Sequence, residues 1–176
     1  MISDNKWEIN IKRFISEYIY TIETKSSFSL NEDSDPLKKY TIQCRKNKDE
    51  KLFIIRPDLM KSNTQYIKEK PKDCDYIIIS EANKIVFLVE LKSSAQTSPA
   101  KEISEQIDGG YKWLEHLSFL TKYDFTEFSY KIIKVCCKFE ARQDRKNLFK
   151  PNEYGIYNMN GPKLDLRELY RKCNDL

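Results

Sequence analysis

The chain has 176 residues, with 40% hydrophobic and 33% charged residues and a net charge of +4 from 31 basic and 27 acidic side chains. That length suits a single domain over residues 1–176, the composition excludes a disordered chain, and the mild charge permits a polyanionic partner without requiring one. No apolar run approaches the roughly 20 residues that span a bilayer.

"MISDNKWEIN" has no apolar stretch of the kind that marks a signal peptide. The five cysteines are odd in number and Cys136 adjoins Cys137, so neither a disulfide framework nor a CxxC zinc pattern is suggested. A reducing cytoplasm and no membrane are the expectations.

In chain order, "WEINIKRFISEYIYTI" (7–22) carries Ile9, Phe14, Ile15, Tyr18, Ile19 and Ile22 at mostly helical spacing and predicts an amphipathic helix. Residues 23–37 are rich in Ser, Asp and Asn, contain Pro36 and predict a loop. "KYTIQCR" and "KLFIIR" flank the polar break "KNKDE" and predict a hairpin. Residues 57–73, with two prolines and many lysines, predict looser structure. "CDYIIISEANKIVFLVELK" (74–92) supplies two apolar strands. "SSAQTSPA" then leads into a helix from about Ala100 to Tyr123. Strands follow at 129–139 and 153–159, and "KLDLRELYRKC" (163–173) predicts a terminal helix. The pattern is that of one α/β domain.

The stretch 74–92 carries charges at its outer ends. Its turn centres on Ala82-Asn83, whether the loop has two residues or the four of "EANK". Either way Ile79 faces Val86, Ile77 faces Leu88, and Asp75 falls opposite Glu90. Directly opposed residues have Cβ atoms roughly 4.5–5.5 Å apart, where like charges repel. Alternation puts Glu90 and Lys92 on one face and Leu91 on the other. Asp75, Glu90 and Lys92 therefore converge. Mg²⁺ takes oxygen ligands, often one or two carboxylates completed by water and phosphate. Asp75 and Glu90 suit it, with the Leu91 backbone carbonyl as a third ligand. Lys92 is placed to orient a water and to stabilise charge developing on a phosphate. The plainer reading is a pair of charged strand ends, since an ExK tripeptide is common by chance.

Asp75, fourteen intervening residues and then Glu90-Leu91-Lys92 resemble the PD-(D/E)XK, or restriction-endonuclease-like, nuclease superfamily. The resemblance covers about residues 74–112 by motif and the rest by order of elements. It implies a central mixed β-sheet flanked by helices, with an antiparallel hairpin bearing the active site. Metal ligands would fall on Asp75 and Glu90 and the catalytic lysine on Lys92, with Mg²⁺ as cofactor and Mn²⁺ able to substitute. Cys74 stands where the family usually has proline. A literal Pro-Asp occurs at Pro57-Asp58, with 31 residues between it and Glu90, but only Asp75 has the opposing register.

In the following helix Ile103, Ile107, Leu114 and Leu117 form a sheet-facing stripe, with Gln106 beside it. Gln106 can reach back toward the metal as a catalytic residue or be a boundary residue; several nuclease branches look similar, with a glutamine and then an aromatic, here Tyr111. Gly109-Gly110 weakens a helix by about 1 kcal/mol each relative to alanine and implies close packing, a kink or a ligand. His116 is the only histidine, which excludes a histidine-based metal site. Some members of the superfamily use an acid from the first helix, which here would be Glu17, with Glu8 as the alternative; a solvated glutamate is the plainer reading of both. Lys101, Lys112, and Arg142 and Arg145 in the basic run 138–150 are nucleic-acid contacts on this reading and ordinary surface charge on the other; "KEKPK" (68–72) is a further basic run.

The expected activity is hydrolysis of phosphodiester bonds, DNA being favoured over RNA, by a restriction or phage-defence nuclease. A homodimer is expected if both strands are cut, and a separately encoded partner for targeting. The alternatives are a repair or junction-resolving enzyme, a toxin nuclease, and a non-catalytic nucleic-acid-binding or assembly subunit on the same fold.

Overall fold

The computed structural model describes residues 6–32, 39–62, 72–93, 99–139 and 150–174. Its centre is the hairpin of two strands that we number β5 (Tyr76–Ser80) and β6 (Ile85–Lys92), after four earlier strands in chain order. The pairing is Ile77 with Leu88 and Ile79 with Val86, as the sequence predicts. The connection is the four-residue loop Glu81–Lys84, closed by the Lys84 N–H donating to the Glu81 carbonyl at 3.3 Å. Every residue of β5 is buried, because both faces of this sheet are covered.

Around the hairpin lie β1 (Tyr20–Glu23), β4 (Leu52–Ile55), β7 (Lys131–Lys138) and β8 (Ile156–Asn160). They complete a six-stranded sheet in the order β1-β4-β5-β6-β7-β8. The pairs from β1 to β6 are antiparallel and those from β6 to β8 parallel. A parallel partner for β6 requires a crossover, which α3 (Ala100–Thr121) supplies.

One face is covered by α3 and by α1 (Lys6–Phe14), whose Trp7 and Ile11 pack with Ile77, Leu88, Ile107 and Leu114. The opposite face is covered by a second sheet of β2 (Ser27–Glu32), β3 (Tyr40–Arg45) and β9 (Lys163–Asp165), ordered β2-β3-β9, together with α4 (Leu166–Asn174). The protein is thus α/β, with mixed sheets flanked by helices. No helix of the described residues is long and apolar enough to cross a membrane.

The first predicted helix is shorter than 7–22 and turned about its axis. Trp7, Ile11 and Ile15 are buried, while Ile9 and Phe14 are about half exposed at 50% and 45%. Beyond Ile19 the β-favouring "YTIE" pairs with β4 instead of extending the helix. The loop predicted over 23–37 contains β2, where only Phe28 and Leu30 alternate inward among polar residues.

Both strands of the predicted 39–56 hairpin exist, but they do not pair. β3 joins the second sheet and β4 the first. The chain changes sheet at Lys46, which is 1% exposed and whose ammonium donates to the carbonyls of Thr24, Asn47 and Glu50. Three carbonyls capture that buried charge and hold the crossing. Pro57 opens a short α2 (Pro57–Ser62), a position where its missing N–H is harmless. The predicted terminal helix begins as β9 before becoming α4.

Candidate active site

Asp75 lies one residue beyond the last paired position of β5, Tyr76 with Val89. Continuing that register sets Asp75 opposite Glu90. Its carboxylate accepts the Leu91 N–H at 2.6 Å, which ends the ladder with a side chain in place of a backbone carbonyl. Within a strand the N–H and C=O of one residue point to the same neighbour. The Leu91 carbonyl therefore also points toward Asp75, whereas that of Lys92 points to β7 and accepts from the Phe139 N–H at 2.9 Å.

Glu90 shares its face with Val86 and Leu88, under α3, and is 1% exposed. Its Oε1 meets the Lys92 ammonium at 2.7 Å. Its Oε2 is buried with no hydrogen-bond partner. Lys92 also donates to Gln106 Oε1 at 2.9 Å, so one ammonium ties the end of β6 to α3. Asp75, Glu90, Lys92 and Gln106 are thereby brought together.

The helix glycines explain how Asp75 reaches this position. A Cβ on Gly109 would lie 1.8 Å from the Lys72 carbonyl oxygen, and one on Gly110 would lie 2.2 Å from Cys74 Sγ. The segment 72–74 runs directly against bare helix backbone, and Gln106 sits one turn earlier on that helix. Of the three roles open to these glycines, close packing is the one observed. The same segment presents Asp73, whose Oδ1 pairs with Lys61 at 2.9 Å and whose Oδ2 is buried without a partner.

Burial and mutual repulsion dominate the electrostatics. Asp75 is partly buried, and its carboxylate is turned inward onto the Leu91 N–H. Burial raises its pKa well above the ordinary value, the charges of Glu90 and Glu32 add to that, and the Leu91 N–H and Lys92 oppose it. Burial likewise raises Glu90, against the attraction of Lys92 and with reinforcement from Glu32 and Asp73. For Lys92, burial works against the charge, but Glu90 and Asp75 outweigh it and hold the ammonium protonated. Tyr40, across the sheet from α3, is pushed up by burial and then by Asp75, Glu32 and Glu90. Asp75, Glu90, Glu32 and Asp73 thus act on a volume that the half-buried ammonium groups of Lys92 and Lys61 border. The field favours an added cation.

Other predicted residues fall elsewhere. Glu17 lies past the C-terminal end of α1, exposed, on the rim that also carries Asp75 but two strands away; it is not on the first helix. Glu8 is on α1, buried and ion-paired with Lys12 and Lys51 at 2.8 Å each, by the end of β4 remote from Asp75. Lys101 and Lys112 are exposed on α3. Arg142 and Arg145 lie outside the described residues, as do residues 68–71 of the other basic run. The remaining member of that run, Lys72, faces Glu102 at 3.5 Å and Glu105 at 3.7 Å.

The Tyr111 hydroxyl engages Glu127 and not the Asp75 pair. His116 is exposed, edge-on to Trp113. Asp58 of the literal Pro-Asp is held by the Arg56 guanidinium at 2.9 and 3.2 Å. Glu32, Tyr40, Asp73 and Lys61 are additions to the predicted set. Asp73 had a signal, since it shares strand parity with Asp75 in "DCD". Glu32 and Tyr40 arrive through a second sheet with no such trace.

Among the described residues no group of three or more His, Cys, Asp or Glu side chains is arranged to hold a metal ion. Mg²⁺ does not require one, because it commonly binds through one or two carboxylates and completes its shell with water and substrate oxygens. The unpartnered Glu90 Oε2, the Asp75 carboxylate and the inward Leu91 carbonyl form an all-oxygen set of that kind. Compared with known proteins, the chain matches no family model, no curated protein and no solved structure.

Proposed function

We propose that this protein is a Mg²⁺-dependent nuclease, with Mn²⁺ able to substitute, that hydrolyses phosphodiester bonds in DNA and serves restriction or phage defence. We further propose that its six-stranded sheet is a restriction-endonuclease-like fold. The antiparallel run β4-β5-β6, followed by the α3 crossover to parallel β7, supports that reading. The observation that carries the function is the buried Glu90 Oε2 without a partner, set opposite Asp75 and beside Lys92. A buried carboxylate oxygen is costly unless something satisfies it, and a cation held by Glu90 and Asp75 would do so.

Asp75, Glu90 and the Leu91 carbonyl would hold the ion. When bound, it supplies positive charge that polarises a phosphate and lowers the pKa of a nearby water. Glu90 and Gln106 fix the Lys92 ammonium from two sides, so its remaining donor valence is aimed before substrate arrives. Lys92 then orients the attacking water and neutralises charge developing on the phosphate oxygens. Gln106 acts on the reaction through Lys92, as a positioning residue. The enclosing helix and sheets exclude bulk water, which strengthens each of these interactions.

The test is a cleavage assay on duplex DNA, single-stranded DNA and RNA, with Mg²⁺, Mn²⁺ or EDTA. Asp75→Ala is expected to abolish cleavage and Lys92→Ala to slow it by about 10²–10³-fold. Equal activity in the wild type and both variants refutes the site.

A further inference from the structure

The parallel strands β6, β7 and β8 end together beside the acids. Lys92 of β6 is the register partner of Lys138 of β7, and Lys138 that of Asn160 of β8. One row inward, Glu90, Cys136 and Asn158 line up in the same way. Register partners share a face of the sheet, as do residues two apart along a strand. The face is that of α3: Cys136 and Ile156 pack in the core beneath the helix, and Lys134 pairs with Asp108 of α3 at 2.9 Å. Phe139 and Met159, of the other parity, pack toward the second sheet. Lys138 and Asn158 therefore stand on the same face as Glu90 and Lys92, farther from Asp75 by one and two strands.

These two side chains are unengaged. Among the described residues Lys138 makes no ion pair or side-chain hydrogen bond, Asn158 makes no side-chain hydrogen bond, and both are half-buried. Neighbouring strands lie about 4.8 Å apart, so Lys138 rises one strand from Lys92, whose ammonium is already held by Glu90 and Gln106. Lys138, Glu90, Lys92 and Asp75 all act electrostatically on the Cys136 thiol, which places them around one volume. Charge thus changes sign across β6. Asp75, Glu90 and Asp73 make the β5 side negative, while Lys138 and the Asn158 amide give the β7–β8 side donors that nothing in the described chain occupies.

We propose that Lys138 and Asn158 bind the phosphate backbone of the nucleic acid beside the acids, so that the strand crosses the C-terminal ends of β7 and β8 with its scissile phosphate at Asp75 and Glu90. This inference rests on the nuclease reading and adds a substrate path to it. A phosphodiester chain carries a negative charge at every nucleotide and is held by cations and hydrogen-bond donors along its length. An ammonium with no internal partner gives up no ion pair when it takes a phosphate. The carboxylates on the β5 side repel the same chain, which leaves the β7–β8 side as the direction of approach. Lys138 opens the basic run 138–150, but it is the register that sets it beside Lys92.

Anisotropy of a labelled duplex oligonucleotide, titrated with the full chain in EDTA from about 0.05 to 0.2 M NaCl, tests this. No cleavage occurs there, and the readout does not depend on a metal. One phosphate contact contributes about 0.9 to the slope of log K against log salt. Lys138→Gln should lower the slope by about that amount and weaken binding about eightfold at 0.1 M salt, whereas Lys138→Arg keeps both. Asn158→Asp, which sets a carboxylate beside Lys138, should weaken binding as well. Lys163→Gln, exposed on β9 of the second sheet, should bind like the wild type. Lys138 has no partner to lose, so its substitution leaves the fold in place. An unchanged slope in Lys138→Gln overturns the proposal, and so does an equal fall in Lys163→Gln or the absence of binding by the wild type. Failure of the nuclease reading looks different: oligonucleotide binding keeps its dependence on Lys138, but no Mg²⁺-dependent cleavage appears.

Discussion

Replacing Glu90 by glutamine should make the metal-free protein more stable at neutral and alkaline pH. Glu90 is 1% exposed, and its folded-state pKa is pushed from an ordinary 4.5 up to about 7, chiefly by burial. A carboxyl raised in this way binds its proton more tightly when folded than when unfolded. Its stabilising influence is fully present below the lower value and is lost as pH rises toward the upper one. At about 1.4 kcal/mol per pH unit, the gap corresponds to roughly 3 kcal/mol. That figure already contains the attraction of Lys92, so glutamine, which mimics the protonated acid, recovers the stability without a further charge for the lost ion pair. The amide's own buried N–H groups need acceptors and take back about 1 kcal/mol. A net gain of about 1–2 kcal/mol raises the Tm of a chain this long by roughly 2–8 °C. Thermal melts of wild type and Glu90→Gln in EDTA, from about pH 4.5 to 8, read it directly. The gain should be largest at the alkaline end and give way to a loss of up to about 1 kcal/mol at the acid end, where only the amide's cost remains. A variant with equal or lower Tm at the alkaline end, or a gain that does not change with pH, refutes the account of Glu90 as a destabilising buried charge.

Three further outcomes follow from the same geometry. Mg²⁺ or Mn²⁺ should raise the Tm of the wild type, increasingly as pH rises through the range where Asp75 and Glu90 lose their protons, with protons released on binding; calorimetry in buffers of different ionisation enthalpy counts them, and a shift that survives Asp75→Ala places the ion elsewhere. Gly109→Ala should destabilise by about 1–3 kcal/mol, although alanine favours a helix by about 1 kcal/mol, because its Cβ meets the Lys72 carbonyl at 1.8 Å; an unchanged or raised melting temperature contradicts the packing. Gln106→Ala should lower kcat with little change in KM and shift the alkaline limb of the rate profile as Lys92 loses one of its two fixed partners, whereas an unchanged profile assigns Gln106 to the boundary of the core.

The parts of the fold that were legible are those in which local pattern and tertiary partner coincide. β5 and β6 adjoin in the chain, so a turn and two apolar runs set a register, and the register sets Asp75 against Glu90. α3 was legible from its own stripe of Ile103, Ile107, Leu114 and Leu117. The failures share one cause. β2, β3 and β9 pair across 8 to 120 residues of chain, and nothing within "SFSLNE" or "KLD" encodes the partner. The 39–56 segment reads as a hairpin from either strand alone, and only Lys46, spent on three carbonyls, reveals that the chain leaves one sheet for another. For the same reason Glu32 and Tyr40, both delivered by the second sheet, could not be placed near Asp75 from sequence.

The two local irregularities of this chain resolve into one arrangement. A pair of glycines inside a helix and two acids at strand ends each oppose the element that contains them. The glycines weaken α3 by about 1 kcal/mol apiece, and the acids repel. Both irregularities meet at residues 72–75: the glycines let that segment lie on bare helix backbone, and lying there is what holds Asp75 against the Leu91 N–H and opposite Glu90. Had Gly109 and Gly110 been placed only for helix flexibility, no segment would need to touch them. Had Asp75 and Glu90 been only surface charges, Glu90 would not be sealed beneath the helix with an unpartnered oxygen. Local rules broken in two separate elements converge on one point in space, which is the arrangement the proposed metal site requires.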